Sequence, residues 1–192
     1  MKRLIFIPLL AGCASLVDRE ASNYIPFARY ERYIYEDANG GTFVVSVYTA
    51  DSLYSILDWQ GQVEYLRYDG DWMNLYNRVE YSLNGSRVVA YEGYIPYYPY
   101  PFVDGYAGEF SYSGNGIEFR ISCGVSLMDG MRYGVEISYR ESNPEGGRSF
   151  YRHFVFAPDT GIVEAIMGPD TSIVAGDTLI TGVRNLRLLR VE

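Results

Sequence analysis

From Gly41 onward the apolar residues of this chain recur at every second position, and that period of two leaves little room for anything but β-structure. Segments 43–48, 63–68, 79–83, 87–91, 109–112, 116–123, 133–140, 149–156, 162–167, 178–183 and 186–191 carry the pattern and are rich in β-branched and aromatic residues. Between them stand Gln60-Gly61, Asp69-Gly70, Asn84-Gly85, Asn115-Gly116, Asp129-Gly130, Asn143-Pro144-Glu145-Gly146-Gly147 and Asp159-Thr160-Gly161. Asn-Gly and Asp-Gly pairs supply the positive φ angles that tight hairpins require. Roughly ten short strands, with no helix long enough for a parallel crossover, predict an all-β fold built as an antiparallel meander. Alternation leaves one face apolar, so the sheet must form a barrel, a half-barrel or a sandwich.

Two short stretches read as helices instead. Pro26 can open one in which Phe27, Tyr30 and Ile34 share a side, with Asn39-Gly40-Gly41 as its stop. Residues 51–59 offer a second, with Leu53, Ile56 and Leu57 on one side.

The first residues are of another kind. Met1-Lys2-Arg3 is basic, and the apolar run that follows ends at Ala11, far short of the ~20 residues that cross a bilayer as a helix. A charged start, a short apolar stretch and small residues form the layout of a removable export signal. Leu10-Ala11-Gly12-Cys13 resembles the lipobox of bacterial lipoproteins. That resemblance implies removal of residues 1–12 and lipidation of Cys13, with the membrane as a partner through the lipid. Residues 13–23 then form a tether and 24–192 a single β domain. Two or three acyl chains hold a protein durably, whereas one does so only marginally. Ala14, rather than Asp, follows the cysteine; in lipoproteins of diderm bacteria this implies passage to the outer membrane.

Charge and composition exclude several functions. Beyond Gly12 the chain keeps all 24 of its acidic residues and no lysine, leaving only arginines as cations. Such a balance repels phosphate backbones, so nucleic acid is not an expected partner. Without lysine, Schiff-base chemistry is absent from the domain. If Cys13 is lipidated, Cys123 has no disulfide partner; at the end of Ile117-Glu118-Phe119-Arg120-Ile121-Ser122-Cys123 it shares the apolar face and reads as a small core residue.

Residues 91–106 are the most unusual segment, combining Tyr91, Tyr94, Tyr97, Tyr98, Tyr100, Phe102 and Tyr106 with Pro96, Pro99 and Pro101. Proline removes a ladder donor, so the segment should be a loop or an extended stretch rather than a central strand. Its aromatics either close one open end of the barrel or sandwich, or form a binding surface. For the second role the candidates are Tyr94, Tyr97, Tyr98, Tyr100, Phe102 and Tyr106, since tyrosine offers a wide apolar face with a polar tip.

Other motifs read as structure. Asp159-Thr160-Gly161 spells the aspartic-protease triplet, but Pro158 before it and Ile162 after it make a hairpin corner. Asp69, Asp71 and Glu80 fall at EF-hand positions, yet Met73 and Asn74 occupy places that need an oxygen ligand and a glycine. His153 is the one histidine, which rules out a histidine-rich metal site. Glu64, Glu80, Glu118, Glu136 and Glu164 alternate with apolar neighbours and should face solvent, although two facing each other could serve a glycan hydrolase. Nothing in the sequence calls for a cofactor. The expectation is a non-enzymatic binding or assembly module of the cell envelope, its partner an envelope protein, a glycan or a lipid. The alternative is a carrier of a hydrophobic ligand.

Overall fold

In a computed structural model, residues 30–49, 54–174 and 177–192 are described. They form an all-β structure with no helix among them. In chain order the strands are β1 (Arg32–Asp37), β2 (Thr42–Thr49), β3 (Tyr54–Trp59), β4 (Gln62–Tyr68), β5 (Trp72–Leu83), β6 (Ser86–Pro99) and β7 (Ala107–Gly114). Then follow β8 (Ile117–Leu127), β9 (Tyr133–Asn143), β10 (Gly146–Ala157), β11 (Gly161–Met167), β12 (Thr171–Val174), β13 (Asp177–Ile180) and β14 (Arg184–Val191). One antiparallel sheet runs in the order β6-β5-β4-β3-β2-β1-β14-β11-β10-β9-β8-β7, with β12 and β13 as a side hairpin on β10. The sheet curls until it is nearly closed into a barrel, bringing β6 against β7, β8 and β9.

The hairpin turns follow from backbone chemistry. Asn84-Gly85 and Asn115-Gly116 each have two successive positive φ angles, which asparagine and glycine adopt most readily. The alternating residues between the turns then line up on one side. Inside lie Tyr33, Tyr35, Phe43, Val45, Val47, Leu57, Trp59 and their neighbours from the other strands, in one continuous core.

Two expected helices are strands. Residues 32–37 form β1, where Tyr33, Ile34 and Tyr35 are all buried, so the alternation that marks a strand is lost. The part of that expected helix before Tyr30 lies outside the described residues. Residues 54–59 form β3, in which Leu57 and Trp59 point inward and Ile56 does not; Leu53 lies outside the described residues. A stretch this short fits both periods, and pairing with β2 and β4 decides it.

The proline-rich segment is also corrected. Residues 86–99 form β6, the longest strand among the described residues, and only the 100–106 connection is loop. The prolines are tolerated because β6 ends the sheet and ladders only with β5. Pro96 pairs with Asn74 beside a register shift at Met73/Asn74.

Side chains rather than a ladder join the two edges. Asn115 Nδ2 donates to the Ala90 carbonyl at 3.0 Å, and Tyr81 Oη donates to the Asn115 carbonyl at 3.2 Å. Tyr91 packs its ring 5.0 Å from Tyr112 and 4.9 Å from Phe119. Further along, Asn77 Nδ2 donates to Tyr139 Oη at 3.0 Å, Tyr139 donates to Glu141 at 2.7 Å, and Arg148 ion-pairs with Glu141 at 2.7 Å while also reaching Asn77.

Candidate functional site

The predicted aromatic segment divides between core and surface. Tyr97 and Tyr98 are each 1% exposed, and Phe102 is 8% exposed. Phe102 sits with its ring 4.8 Å from Phe156 and 5.4 Å from Tyr133, while Tyr98 is 5.6 Å from Phe156. Tyr100 contacts Phe102 and Tyr68, and Tyr106 meets Trp72 edge to face. The connection is pinned to β8 by Leu127 N donating to Asp104 Oδ1 at 2.8 Å and by Val125 N donating to the Tyr106 carbonyl at 2.8 Å. These rings close the end of the barrel at the β6–β7 connection. Tyr97, Tyr98 and Phe102 therefore present no surface to a partner: the register shift at Met73/Asn74 interrupts the alternation so that adjacent Tyr97 and Tyr98 are both buried, and Phe102 is buried from the connection.

Tyr94 is different. It points outward and belongs to a row that the sheet register builds across five strands. Tyr48 of β2 stands opposite Ile56 of β3, Ile56 opposite Tyr65 of β4, and Tyr76 of β5 opposite Tyr94 of β6. The Tyr65 and Tyr76 rings, 6.2 Å apart, complete the row, and Tyr54 joins it 6.3 Å from Tyr94. Tyr48 is 58% and Tyr65 47% exposed. Neighbouring rings meet edge to face, the preferred geometry for aromatic pairs. Polar groups are set among them: the Arg67 guanidinium lies over the Tyr94 ring at 4.8 Å, and Tyr76 Oη donates to Glu92, which lifts the Tyr76 pKa. Tyr48, Tyr54, Tyr65 and Tyr76 were not singled out from sequence. Each lies in a different strand, among other aromatics of that strand, and only the pairing register brings them together.

The interior holds a charged cluster around Glu64, the one member that sequence reasoning placed in solvent. Glu64 is 7% exposed and turned inward from β4. Tyr97 Oη donates to Glu64 Oε1 at 3.1 Å, and Arg152 Nε approaches the same oxygen at 3.8 Å. Arg152 grips Asp170 in a bidentate pair, Nη1 to Oδ1 at 2.6 Å and Nη2 to Oδ2 at 3.0 Å. Gln62 Nε2 donates to the same carboxylate at 3.3 Å. Burial raises the Glu64 pKa, offset only in part by the Arg152 charge and by the hydrogen bond from Tyr97. Enclosed in this way, the cluster fastens β4 and β10 to the loop before β12.

The remaining candidates take structural places. Asp159 and Gly161 have positive φ in the β10–β11 turn. Asp69 accepts from the backbone N–H of Asp71 and Trp72 and from Asn74, which fixes the β4–β5 turn. Glu80 pairs with Arg78 and Arg87, Glu118 accepts from Ser113 at 3.4 Å, Glu136 lies 3.6 Å from His153, and Glu164 is 3.8 Å from Arg132. Cys123 is buried and free, and burial pushes its thiol up to about 12. Among the described residues no three His, Cys, Asp or Glu side chains gather as a metal site. Cys13 lies outside the described residues. Comparison with protein-family models, curated proteins and solved structures gives no match to this chain.

Proposed function

We propose that this chain is a lipid-anchored protein of the bacterial envelope that binds a saccharide chain without transforming it, through the tyrosine face of β2–β6. The anchor rests on the sequence: residues 1–13 match a lipoprotein signal throughout, and Ala14 favours the outer membrane. The binding role is carried by one observation, the row Tyr48–Ile56–Tyr65–Tyr76–Tyr94 with Arg67 and Glu92 among its rings. Strands are about 4.8 Å apart, close to the repeat of sugar rings along an extended glycan. Aromatic faces stack on the C–H faces of sugars, and the phenol, guanidinium and carboxylate groups meet their hydroxyls. Exposed tyrosines on a rigid sheet also lose little entropy on binding.

The other readings have less support. A carrier needs a chamber, as curved sheets and barrels can provide. Here inward positions are taken by large rings in mutual contact, among them Trp59 stacked 5.7 Å from Phe154. A hydrolase needs two carboxylates free to act, and Glu64, Glu80 and Glu164 are engaged with arginines.

The test uses the full chain with Cys13→Ser, titrated calorimetrically with cello- and chito-oligosaccharides of increasing length. Affinity should rise with length, and Tyr65→Ser or Tyr48→Ser should weaken it about ten-fold or more while costing under about 1 kcal/mol of stability. Equal binding by these variants, or none by any oligosaccharide, would refute the proposal. Separately, the parent chain should incorporate labelled fatty acid in cells and the Cys13→Ser chain should not.

A further inference from the structure

A second surface, distinct from the tyrosine face, sets two arginines side by side on an acidic protein. On the outer side of β7–β10 the register aligns Ser111, Arg120, Arg140 and Ser149 in one cross-strand row. Glu109, Ser122, Ser138 and Tyr151 form the next row on one side, and Ser113, Glu118 and Ser142 the next on the other. Serine is the smallest hydroxylated side chain, so its repetition leaves a hollow of about 850 Å³ floored by hydroxyls and strand backbone.

Arg120 and Arg140 stand directly opposite each other, where like charges destabilise a sheet. Arg120 is answered at 3.4 Å by Glu109, with both groups largely in solvent. Arg140 has no ion-pair partner among the described residues. The Glu118 carboxylate, in the same hollow, accepts from Ser113.

We propose that this hollow binds a saccharide carrying a phosphate or carboxylate, with the oxyanion between Arg120 and Arg140 and the sugar hydroxyls over the serine floor. The oxyanion supplies the negative charge that Arg140 lacks, and paired guanidiniums bind such groups with directed hydrogen bonds. Glu118 and the serines offer acceptors and donors for hydroxyls. A bilayer surface is disfavoured as the source of the anion, because the protein carries a net charge of −8 and is repelled by anionic headgroups. The hollow is also recessed rather than protruding. This site does not depend on the saccharide reading of the tyrosine face.

The full chain with Cys13→Ser is titrated with glucose 6-phosphate, glucuronate, inorganic phosphate and glucose. The two anionic sugars should bind, glucose should bind at least about ten-fold more weakly, and rising salt should weaken the anionic sugars. Arg140→Gln and Arg120→Gln should each cost about ten-fold or more, while Tyr65→Ser should change nothing. Arg140→Glu should abolish binding yet raise the unfolding temperature, since it replaces a cross-strand repulsion by an ion pair. Equal affinity for glucose, indifference to Arg140→Gln, or no binding of either anionic sugar would overturn the proposal. So would inorganic phosphate binding as tightly as the sugars, which would mean a bare anion site. Preferential uptake of phosphatidylglycerol vesicles over glucose 6-phosphate would overturn it in favour of a lipid headgroup.

Discussion

Glu64 Oε1 and Arg152 Nε lie 3.8 Å apart inside the barrel, and the same guanidinium holds Asp170 with its other two nitrogens. Removing one member of a buried charge set leaves the rest uncompensated. Arg152→Met should therefore destabilise the fold by about 3–5 kcal/mol, read from urea unfolding. Adding Glu64→Leu should recover part of that loss, because the orphaned carboxylate goes with it. An additive or larger loss in the double variant would show that the two groups do not share one network.

The pH dependence of this cluster has a definite sign. Burial raises the Glu64 pKa above 4.5, so the folded protein holds that proton more tightly than the unfolded chain. Its contribution is full below 4.5 and is lost as pH rises through the folded value. Unfolding free energies of the parent, minus those of Glu64→Gln, should fall with pH across that window. A difference that grew with pH would mean that the Arg152 charge outweighs burial. Asp69 acts in the opposite sense. Desolvation is the largest single influence on it, but Asn74, the backbone N–H groups of Asp71 and Trp72 and the Arg67 charge together outweigh it and hold its pKa down, so its contribution fades as pH falls.

Tyrosines of core and surface should separate cleanly on substitution. Tyr98→Ala empties a packed position between Phe102 and Phe156 and should cost about 3–5 kcal/mol. Tyr48→Ala and Tyr65→Ala, on the outer face, should cost under about 1 kcal/mol. Thermal unfolding of the three variants checks this; a Tyr65 variant as unstable as the Tyr98 variant would make the outer row structural.

The all-β class and most strands were legible because alternation and Asn-Gly or Asp-Gly turns are local signals, as at 116–123 and Asn115-Gly116. β1 was not, since Tyr33, Ile34 and Tyr35 are all buried and break the alternation. β6 was misread because proline is excluded only from central strands, and sequence does not say which strand ends the sheet. The same gap hid both surfaces. Tyr48, Tyr65, Tyr76 and Tyr94 come from four different strands, as do Ser111, Arg120, Arg140 and Ser149, and only register unites them. Glu64 looked solvent-facing beside apolar neighbours, but its burial depends on an arginine far along the chain.

Cys123 should be chemically silent in the folded protein. It is buried on β8 and its thiol is pushed up to about 12, which leaves almost no thiolate at neutral pH. In the Cys13→Ser chain, reaction with a disulfide reagent should wait for unfolding and speed up in step with added urea. Rapid labelling in buffer would show that the strand opens locally.

The seam between β6 and β7 gives the barrel a line along which it can part without breaking a backbone ladder. In the sheet order β1 and β14 lie midway between the two edges. Among the described residues they are the one place where the run β1–β6 is laddered to the rest of the sheet. Parting at the seam would cost the Tyr91 ring contacts, a few side-chain hydrogen bonds and the core contacts that cross between the halves, such as Trp59 with Phe154, Tyr98 with Phe156 and Glu64 with Arg152, while each strand keeps its laddered neighbour. The two halves would then swing about β1–β14 as covers swing about the spine of a book.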